Sequence, residues 1–271
     1  MGRNLELFQH LALSPGGGLA HPALCIARFE YPELDLSRYL EWFEKEGRQL
    51  AVACSPSDAV ADRLRAVNQF VYERNGFRPN LEDYDDPRNS FLNDVIERRL
   101  GIPISLAVVY IELASYAGLE LKGVGFPGHF LVRVQPGMFV DPFHFGEILE
   151  RGDCERLFQA ATGGQVPFRD NYLKPASKTE VLARMLANLR NIFIKQEKLE
   201  RAVEILNWAV AIQPDTPIHY RDRGILLARL ECPHAAVKDL EHYLSCSVSR
   251  SERAEIQKLL VSLRGSKTVV H

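Results

Sequence analysis

The sequence predicts an α+β domain followed by an all-α region, and three observations carry this prediction. Residues 36–46 and 57–71 place apolar side chains at helical spacing, as amphipathic helices do. Residues 121–141 contain short β-rich segments separated by Gly and Pro. Beyond residue 178 the pattern is purely helical, with a self-similarity of 34 residues. We therefore expect helices plus a small antiparallel sheet, and then helical repeats.

Residues 1–80 are predicted to form helices separated by Pro and Gly turns. Residues 89–99 should form the next helix, which is entered from Asp86-Pro87 and ends before Gly101. Residues 105–116 are apolar on nearly every side, a pattern typical of a helix buried in the middle of a domain. This buried helix becomes the centre of the predicted fold.

Three strands are predicted after the buried helix, at residues 121–125, 129–134 and 138–141. If residues 135–137 form the hairpin loop, Val132 faces Val140, Val134 faces Met138 and Leu131 faces Asp141.

That register places His129 and Asp141 on the same face as diagonal neighbours within side-chain reach. We expect them to hydrogen-bond through Nδ1 of the imidazole. A two-residue loop would send Asp141 to the other face, because a slip of one residue inverts every side chain. A lone His at a strand start is otherwise more often a surface or core imidazole.

Four segments carry a resemblance to a known family: Asp86-Pro87-Arg88-Asn89-Ser90-Phe91-Leu92, Arg99-Leu100-Gly101-Ile102-Pro103-Ile104-Ser105-Leu106, Gly123-Val124-Gly125-Phe126-Pro127-Gly128-His129-Phe130 and Asp141-Pro142-Phe143. They resemble the transglutaminase-like superfamily, and more closely its SirB-type branch, which usually has a tetratricopeptide tail. The resemblance covers residues 80–146 and implies a papain/transglutaminase-like core.

Enzymes of this superfamily use a Cys thiolate at a helix N-terminus, a His that takes its proton, and a carboxylate that holds the imidazole. His129 and Asp141 match the last two. No cysteine lies between Cys54 and Cys154. The expected position of the thiol is occupied by Pro103, Ile104 and Ser105. Ser105 is the alternative nucleophile, although helix capping is the preferred interpretation of its hydroxyl, and Pro103 or Ile104 would then hold the aligned position.

Three further polar residues are candidate binding residues: Asn89, Asn93 and His144. Asn89 could simply cap a helix, whereas Asn93 has low helix propensity and could donate a hydrogen bond into the site. His144 could replace His129 as the imidazole or lie near the same cleft. Asp141 and His144 also suggest metal ligation, but the sequence shows no third ligand at helical or strand spacing, so no metal and no cofactor are predicted.

Residues 163–178 are rich in Gly, Pro and polar residues, and they separate a transglutaminase-like domain over residues 1–170 from tetratricopeptide-like repeats over residues 179–265. Ala202 and Ala236 correspond across the 34-residue shift and would let paired helices approach closely. A concave surface for a partner would be lined by Asn188, Asn191, Lys195, Arg221 and Arg223.

Composition limits the class of protein. The net charge of −2 argues against an electrostatically driven nucleic-acid or membrane binder. Five cysteines without a CxxC pair favour free thiols in a reducing compartment. Neither a secretory signal nor an apolar run of membrane-spanning length is evident. We therefore expect a cytoplasmic protein, and the resemblance to the SirB-type branch implies a bacterial one with a protein or peptide partner.

Two functional hypotheses follow. The first is a pseudoenzyme, non-catalytic or weakly catalytic, that lacks the thiol. It binds a peptide or small amide in the His129/Asp141 cleft and presents a tetratricopeptide surface to a partner. The second is a hydrolase or acyl-transferase in which Ser105, His129 and Asp141 form a triad. The missing cysteine favours the first.

Overall fold

The computed structural model describes residues 2–55, 57–246 and 249–265. The chain divides into two compact units, Met1–Met185 and Leu186–His271. The division falls inside one helix, later along the chain than the Gly/Pro-rich segment at 163–178. Within the described ranges, no helix combines the length and apolar character that a membrane crossing requires.

Unit 1 contains helices and a small antiparallel sheet, as predicted. Its helices are α1 (Gly2–Leu13), α2 (Ala20–Ala27), α3 (Leu36–Val52), α4 (Val60–Asn68), α5 (Leu92–Arg98), α6 (Pro103–Tyr116), α7 (Arg151–Thr162) and the first part of α8 (Lys178–Lys195). Its strands are β1 (Arg78–Pro79), β2 (Leu100–Gly101), β3 (Lys122–Val124), β4 (Leu131–Gln135), β5 (Met138–Asp141) and β6 (Glu147–Glu150). The first two pair in parallel and the last four form the sheet in sequence order.

The β4/β5 hairpin has a shorter loop than predicted, but Asp141 still lies on the predicted face of the sheet. Val132 pairs with Val140 as expected, but Met138 pairs with Gln135 and not with Val134, so the loop is only Pro136-Gly137. A bulge between Arg133 and Gln135 absorbs the extra residue. The two-residue loop therefore leaves the pairing of Val132 with Val140 unchanged, and Asp141 stays on the predicted face.

Helix α6 is the buried centre of unit 1, and it begins at Pro103, two residues earlier than the sequence predicted. Pro suits the first helical position, since its missing N–H would have no partner there. Arg99 adopts a left-handed conformation (φ 59°) just before β2, and its guanidinium lies 4.8 Å from the ring centroids of both Trp42 and Phe77. These contacts fix the segment that leads into α6.

The loop after β5 is anchored to the end of α4 and to the π-helical turn Gln69–Arg74 that follows it. The Tyr72 hydroxyl donates to the Pro142 carbonyl at 3.0 Å, and the Asn68 amide donates to the Gly146 carbonyl at 2.9 Å. Tyr110 of α6 in turn donates to the Asn68 Oδ1 at 2.8 Å. The position of the 142–146 loop is thus set by side chains far away in sequence.

Unit 2 is helical throughout its described residues. It contains the end of α8, then α9 (Leu199–Ile212), α10 (Pro217–Arg229), α11 (Pro233–Ser245) and α12 (Arg250–Gly265). Ala202 and Ala236 are fully buried, as the repeat spacing predicts. A Cβ on Gly224 would lie 2.8 Å from the Leu240 side chain, so α10 and α11 approach at a small residue.

Gly47 of α3 supports α6 through the same kind of close approach, which gives a stability prediction. A Cβ at position 47 would lie 2.3 Å from Cγ of Tyr116 at the end of α6. We expect Gly47→Ala to lower the free energy of unfolding by about 1–3 kcal/mol, because overpacking outweighs the better helix propensity of Ala. Urea denaturation measures this.

The control is Gly152→Ala in α7, where the nearest atom to an added Cβ is an Arg156 nitrogen at 3.7 Å. That variant should gain a few tenths to about 1 kcal/mol of stability. Equal effects of the two substitutions would contradict the α3/α6 packing described above.

Candidate functional site

His129 lies in a tight turn immediately before β4, not in the strand itself. The His129 N–H donates to the Phe126 carbonyl at 3.0 Å, with Pro127 at the second position and Gly128 at the third (φ 72°). Pro followed by a positive-φ Gly is the signature of a type II turn. Arg184 of α8 donates to the carbonyls of both Phe126 and His129 at 3.1 Å, which holds the turn from outside.

Asp141 ends β5 and is only 1% exposed. Its Oδ1 accepts the backbone N–H groups of Phe143 and His144 at 2.9 and 3.3 Å. Its Oδ2 lies 2.6 Å from Nε2 of His129. Burial alone would raise the pKa of the Asp141 carboxyl, but the hydrogen bonds and charges of His129 and His144 outweigh it and the pKa lies below its usual range.

The predicted contact between His129 and Asp141 is therefore present, although the nitrogen involved is Nε2 and the predicted Nδ1 was wrong. Because a carboxylate only accepts, Nε2 carries the proton in the neutral ring and Nδ1 keeps a lone pair. The reason for the difference is local: His129 lies in the 126–129 turn and not in a regular strand, so strand geometry does not set its ring orientation.

His144 joins the same carboxylate. Its Nδ1 lies 2.7 Å from Asp141 Oδ2, while 56% of its side chain is exposed. One donor atom from each of His129, Asp141 and His144 lies within 4.8 Å of the other two. The sequence showed no third metal ligand to accompany Asp141 and His144. In the structure, His129 is in that position.

A cleft of about 470 Å³ lies beside the two imidazoles. Most of its lining is apolar, and the complete lining consists of Tyr84, Pro103, Phe126, Pro127, Gly128, His129, Phe143, His144, Leu157, Ala160 and Ala161. The volume falls in the range of small-molecule sites. A larger cavity of about 790 Å³, around Glu112 and Lys178, contains neither His129 nor His144.

Pro103, the first residue of α6, is the residue of this helix that lines the cleft. Ser105 is completely buried and does not line it. The Ser105 Oγ accepts the Ile102 N–H at 3.1 Å and donates to the Asn89 carbonyl at 2.6 Å. These contacts favour the capping interpretation of Ser105, since its hydroxyl is already engaged on both sides.

Asn89 and Asn93 also stay out of the cleft. Asn89 is fully buried, accepts from Asn80 at 2.9 Å and donates to the Asp83 carbonyl at 2.7 Å, so it braces the loop that leads to Tyr84. Asn93 is buried in α5, and its Oδ1 has no hydrogen-bond partner among the described residues. Tyr84 and Arg184 are residues of the site that the sequence did not indicate, whereas Pro103 was one of the alternatives to Ser105 at the helix start.

No cysteine replaces the missing thiol in the lining described above. Cys154 of α7 is fully buried in an apolar cluster, and burial raises the pKa of its thiol to about 11. Burial likewise raises the pKa of Cys25 to about 12. Such thiols carry very little of the thiolate that acts as a nucleophile near neutral pH.

Comparison with known proteins decides the family. Residues 36–187 match the model of the transglutaminase-like superfamily, and residues 189–261 match a tetratricopeptide repeat model. The chain belongs to the transglutaminase-like superfamily. Its resemblance to the SirB-type branch, with a tetratricopeptide region after the transglutaminase-like core, is thereby confirmed.

Relatives named UPF0162 proteins occur in several bacteria. The protein of Xylella fastidiosa strain Temecula1 is 35% identical over 93% of this chain and 92% of its own length. That of Pseudomonas aeruginosa is 31% identical over 90% of each chain, and that of Vibrio cholerae is 27% identical over 80% of this chain and 79% of its own. No solved structure matches the chain.

The position of Pro103 yields a test by cysteine substitution. A thiol at Pro103→Cys would lie at the α6 N-terminus and in the same cleft as His129, and a helix N-terminus and an imidazole both stabilise a thiolate. We expect site-resolved iodoacetamide labelling with an apparent pKa clearly below the ordinary value of about 8.5. Ser105→Cys is the matched variant, and its buried thiol should stay unlabelled in the folded protein. Faster labelling of Ser105→Cys at pH 6 would reverse the assignment.

Asp141 yields a second test. Asp141→Ala leaves two backbone N–H groups and two imidazoles without their acceptor, so we expect a loss of about 3 kcal/mol or more in unfolding free energy. Asp35→Ala removes an exposed helix cap from Ser37 and should cost about 1 kcal/mol. A loss at Asp141 no larger than at Asp35 would show that the shared carboxylate is not a structural anchor.

Proposed function

We propose that this protein is a non-catalytic member of the transglutaminase-like superfamily that acts as an interaction module. Its cleft binds a peptide or small amide, and its tetratricopeptide region presents a surface to a protein partner. The observation that carries the proposal is that Pro103, the first residue of α6, lines the same cleft as His129 and has no nucleophilic group.

The chemistry of the cleft supports binding over bond cleavage. Its lining offers no thiol, and its one hydroxyl is the Tyr84 phenol. Ser105, the nucleophile of the hydrolase hypothesis, is buried and engaged with Asn89. Among the described residues that line the cleft, the oriented imidazole thus has no thiol or aliphatic hydroxyl to deprotonate, as general-base activation of such a nucleophile requires.

The two imidazoles specify what kind of group an occupant should carry. His129 donates Nε2–H and His144 donates Nδ1–H to Asp141 Oδ2, so each neutral ring keeps one nitrogen as an acceptor. An occupant that lies against both rings therefore needs N–H donors. A primary amide or a peptide N–H meets this requirement, and the Phe126, Phe143 and Leu157 side chains accommodate its apolar part.

The tetratricopeptide surface supports the second half of the proposal, although several residues expected to contact a partner are engaged within unit 2. Arg223 makes a bidentate pair with Asp239 at 2.6 and 2.7 Å, and Arg221 pairs with Asp222 at 2.8 Å. The Arg223 pair links α10 to α11, whereas the Arg221 pair lies within α10. Asn191 is exposed, and its side-chain N–H groups are available to a partner although its Oδ1 accepts from Arg190. Tetratricopeptide repeats generally mediate protein–protein contacts.

The cleft is tested with N-acetylglycinamide as the probe and its fully N-methylated analogue, which lacks every N–H, as the matched control. In the full-length chain, the amide should shift the imidazole NMR signals of His129 and His144 saturably and be recovered unchanged by mass spectrometry. Ala160→Trp, which fills the cleft from the exposed face of α7, should abolish the shifts.

Arg156→Trp is the control for this variant, because residue 156 is exposed on the same helix and does not line the cleft. It should leave binding unchanged. Hydrolysis of the probe that disappears in His129→Gln would overturn the non-catalytic assignment. Equal shifts from the methylated analogue would overturn the amide specificity.

A further inference from the structure

We propose that His129, Asp141 and His144 form a binding site for a divalent transition metal of the Zn²⁺ type. The proposal does not rest on the amide-binding function, because it concerns only the three donor groups. Two imidazole nitrogens and one carboxylate oxygen are a recurrent three-ligand set for zinc, which then keeps a fourth position open. Calcium and magnesium prefer oxygen ligands alone and fit this set poorly.

The two distances from Asp141 Oδ2 are close to those that a metal needs, and all three donor atoms lie within 4.8 Å of one another. Asp141 Oδ2 lies 2.6 Å from Nε2 of His129 and 2.7 Å from Nδ1 of His144. Tetrahedral zinc with bonds of about 2.0–2.2 Å separates its ligand atoms by roughly 3.3 Å. Each nitrogen therefore has to retreat from Oδ2 by roughly 0.7 Å, and the half-exposed His144 ring has room to do so.

Metal binding requires no change in the charge of a neutral His129. The proton on Nε2 moves to Nδ1, and the Nε2 lone pair then faces the ion in place of the hydrogen bond to Asp141. The same exchange applies to the ring nitrogens of His144. The cluster without metal is accordingly a hydrogen-bonded form of the same three groups.

The groups around the three donors hold them as an outer layer of ligands does in metal sites. Asp141 Oδ1 is fixed by the Phe143 and His144 N–H groups, which leaves Oδ2 as the metal ligand. Arg184 fixes the turn that carries His129. The Phe143 ring packs edge-on against both imidazoles, with centroids 6.0 and 5.8 Å away, and provides an apolar wall.

The open position of such a metal would face the cleft, since both His129 and His144 line it. The ion would present a Lewis-acidic site to an occupant at the same place where the metal-free rings present acceptor nitrogens. The two states would therefore prefer different ligands, an oxygen donor with the metal and an N–H donor without it.

The experiment uses the full-length chain, stripped with EDTA and titrated with Zn²⁺ against a chromogenic chelator in the absence of any amide. We expect one equivalent to bind, and His144→Asn and His129→Asn each to weaken that binding by about tenfold or more. Asp141 is left unchanged, because its carboxylate also holds two backbone N–H groups. His144 is exposed enough for its replacement to preserve the fold, which circular dichroism checks.

His10→Asn is the control, because His10 is an exposed histidine of α1 in the same unit. It should retain the full equivalent. Co²⁺ substitution should give visible bands of a nitrogen and oxygen site without the near-ultraviolet charge transfer that a thiolate produces. Absence of stoichiometric binding, undiminished binding in His144→Asn, or a thiolate band would each overturn the proposal while leaving the amide experiment unaffected.

Discussion

The arrangement of the site depends on one buried carboxylate. Asp141 satisfies two backbone N–H groups through Oδ1 and approaches two imidazoles through Oδ2, so a single side chain shapes the 3₁₀ turn at Pro142–His144 and orients both rings. A charge that is 1% exposed is tolerated only when it is fully hydrogen-bonded. The end of β5, the turn and the imidazoles are therefore coupled. A movement of any one of them would break a hydrogen bond of the buried Asp141 carboxylate.

The part of this arrangement that the sequence predicts is the part that follows from local periodicity. Alternation along the hairpin was enough to pair Val132 with Val140 and to bring His129 within reach of Asp141. The bulge near Val134 was not predictable, because it depends on a two-residue loop whose length the Gln-Pro-Gly sequence leaves open. The bulge adds one residue to β4 and the loop is one residue shorter, so the two differences cancel. His129 and Asp141 therefore lie close together as predicted, although the hairpin has a different local geometry.

The parts that the sequence does not reveal are those set by contacts between distant segments. Arg184 lies 55 residues after His129 and holds its turn, and Tyr72 lies 70 residues before Pro142 and holds the turn that carries His144. No periodicity encodes such pairs. The choice between Pro103 and Ser105 as the aligned position could be made only in part from the sequence. Pro at the first helical position marks the helix start, but only the structure shows that the buried Ser105 hydroxyl donates to Asn89.

The proposed non-catalytic function changes what the His129/Asp141 pair contributes. In a thiol enzyme the carboxylate orients an imidazole whose other nitrogen takes a proton from the nucleophile. If Pro103 holds that place, as we propose, the orientation of His129 has no proton transfer to serve, yet Asp141 holds it at 2.6 Å and holds His144 at 2.7 Å as well. Imidazoles that are held in place without a nucleophile are suited to binding. Their free lone pairs can accept from an N–H donor, and the nitrogens that face Asp141 can bind a metal ion. The cluster is more than the remnant of a catalytic triad, because an orienting carboxylate needs only one imidazole and Asp141 contacts two.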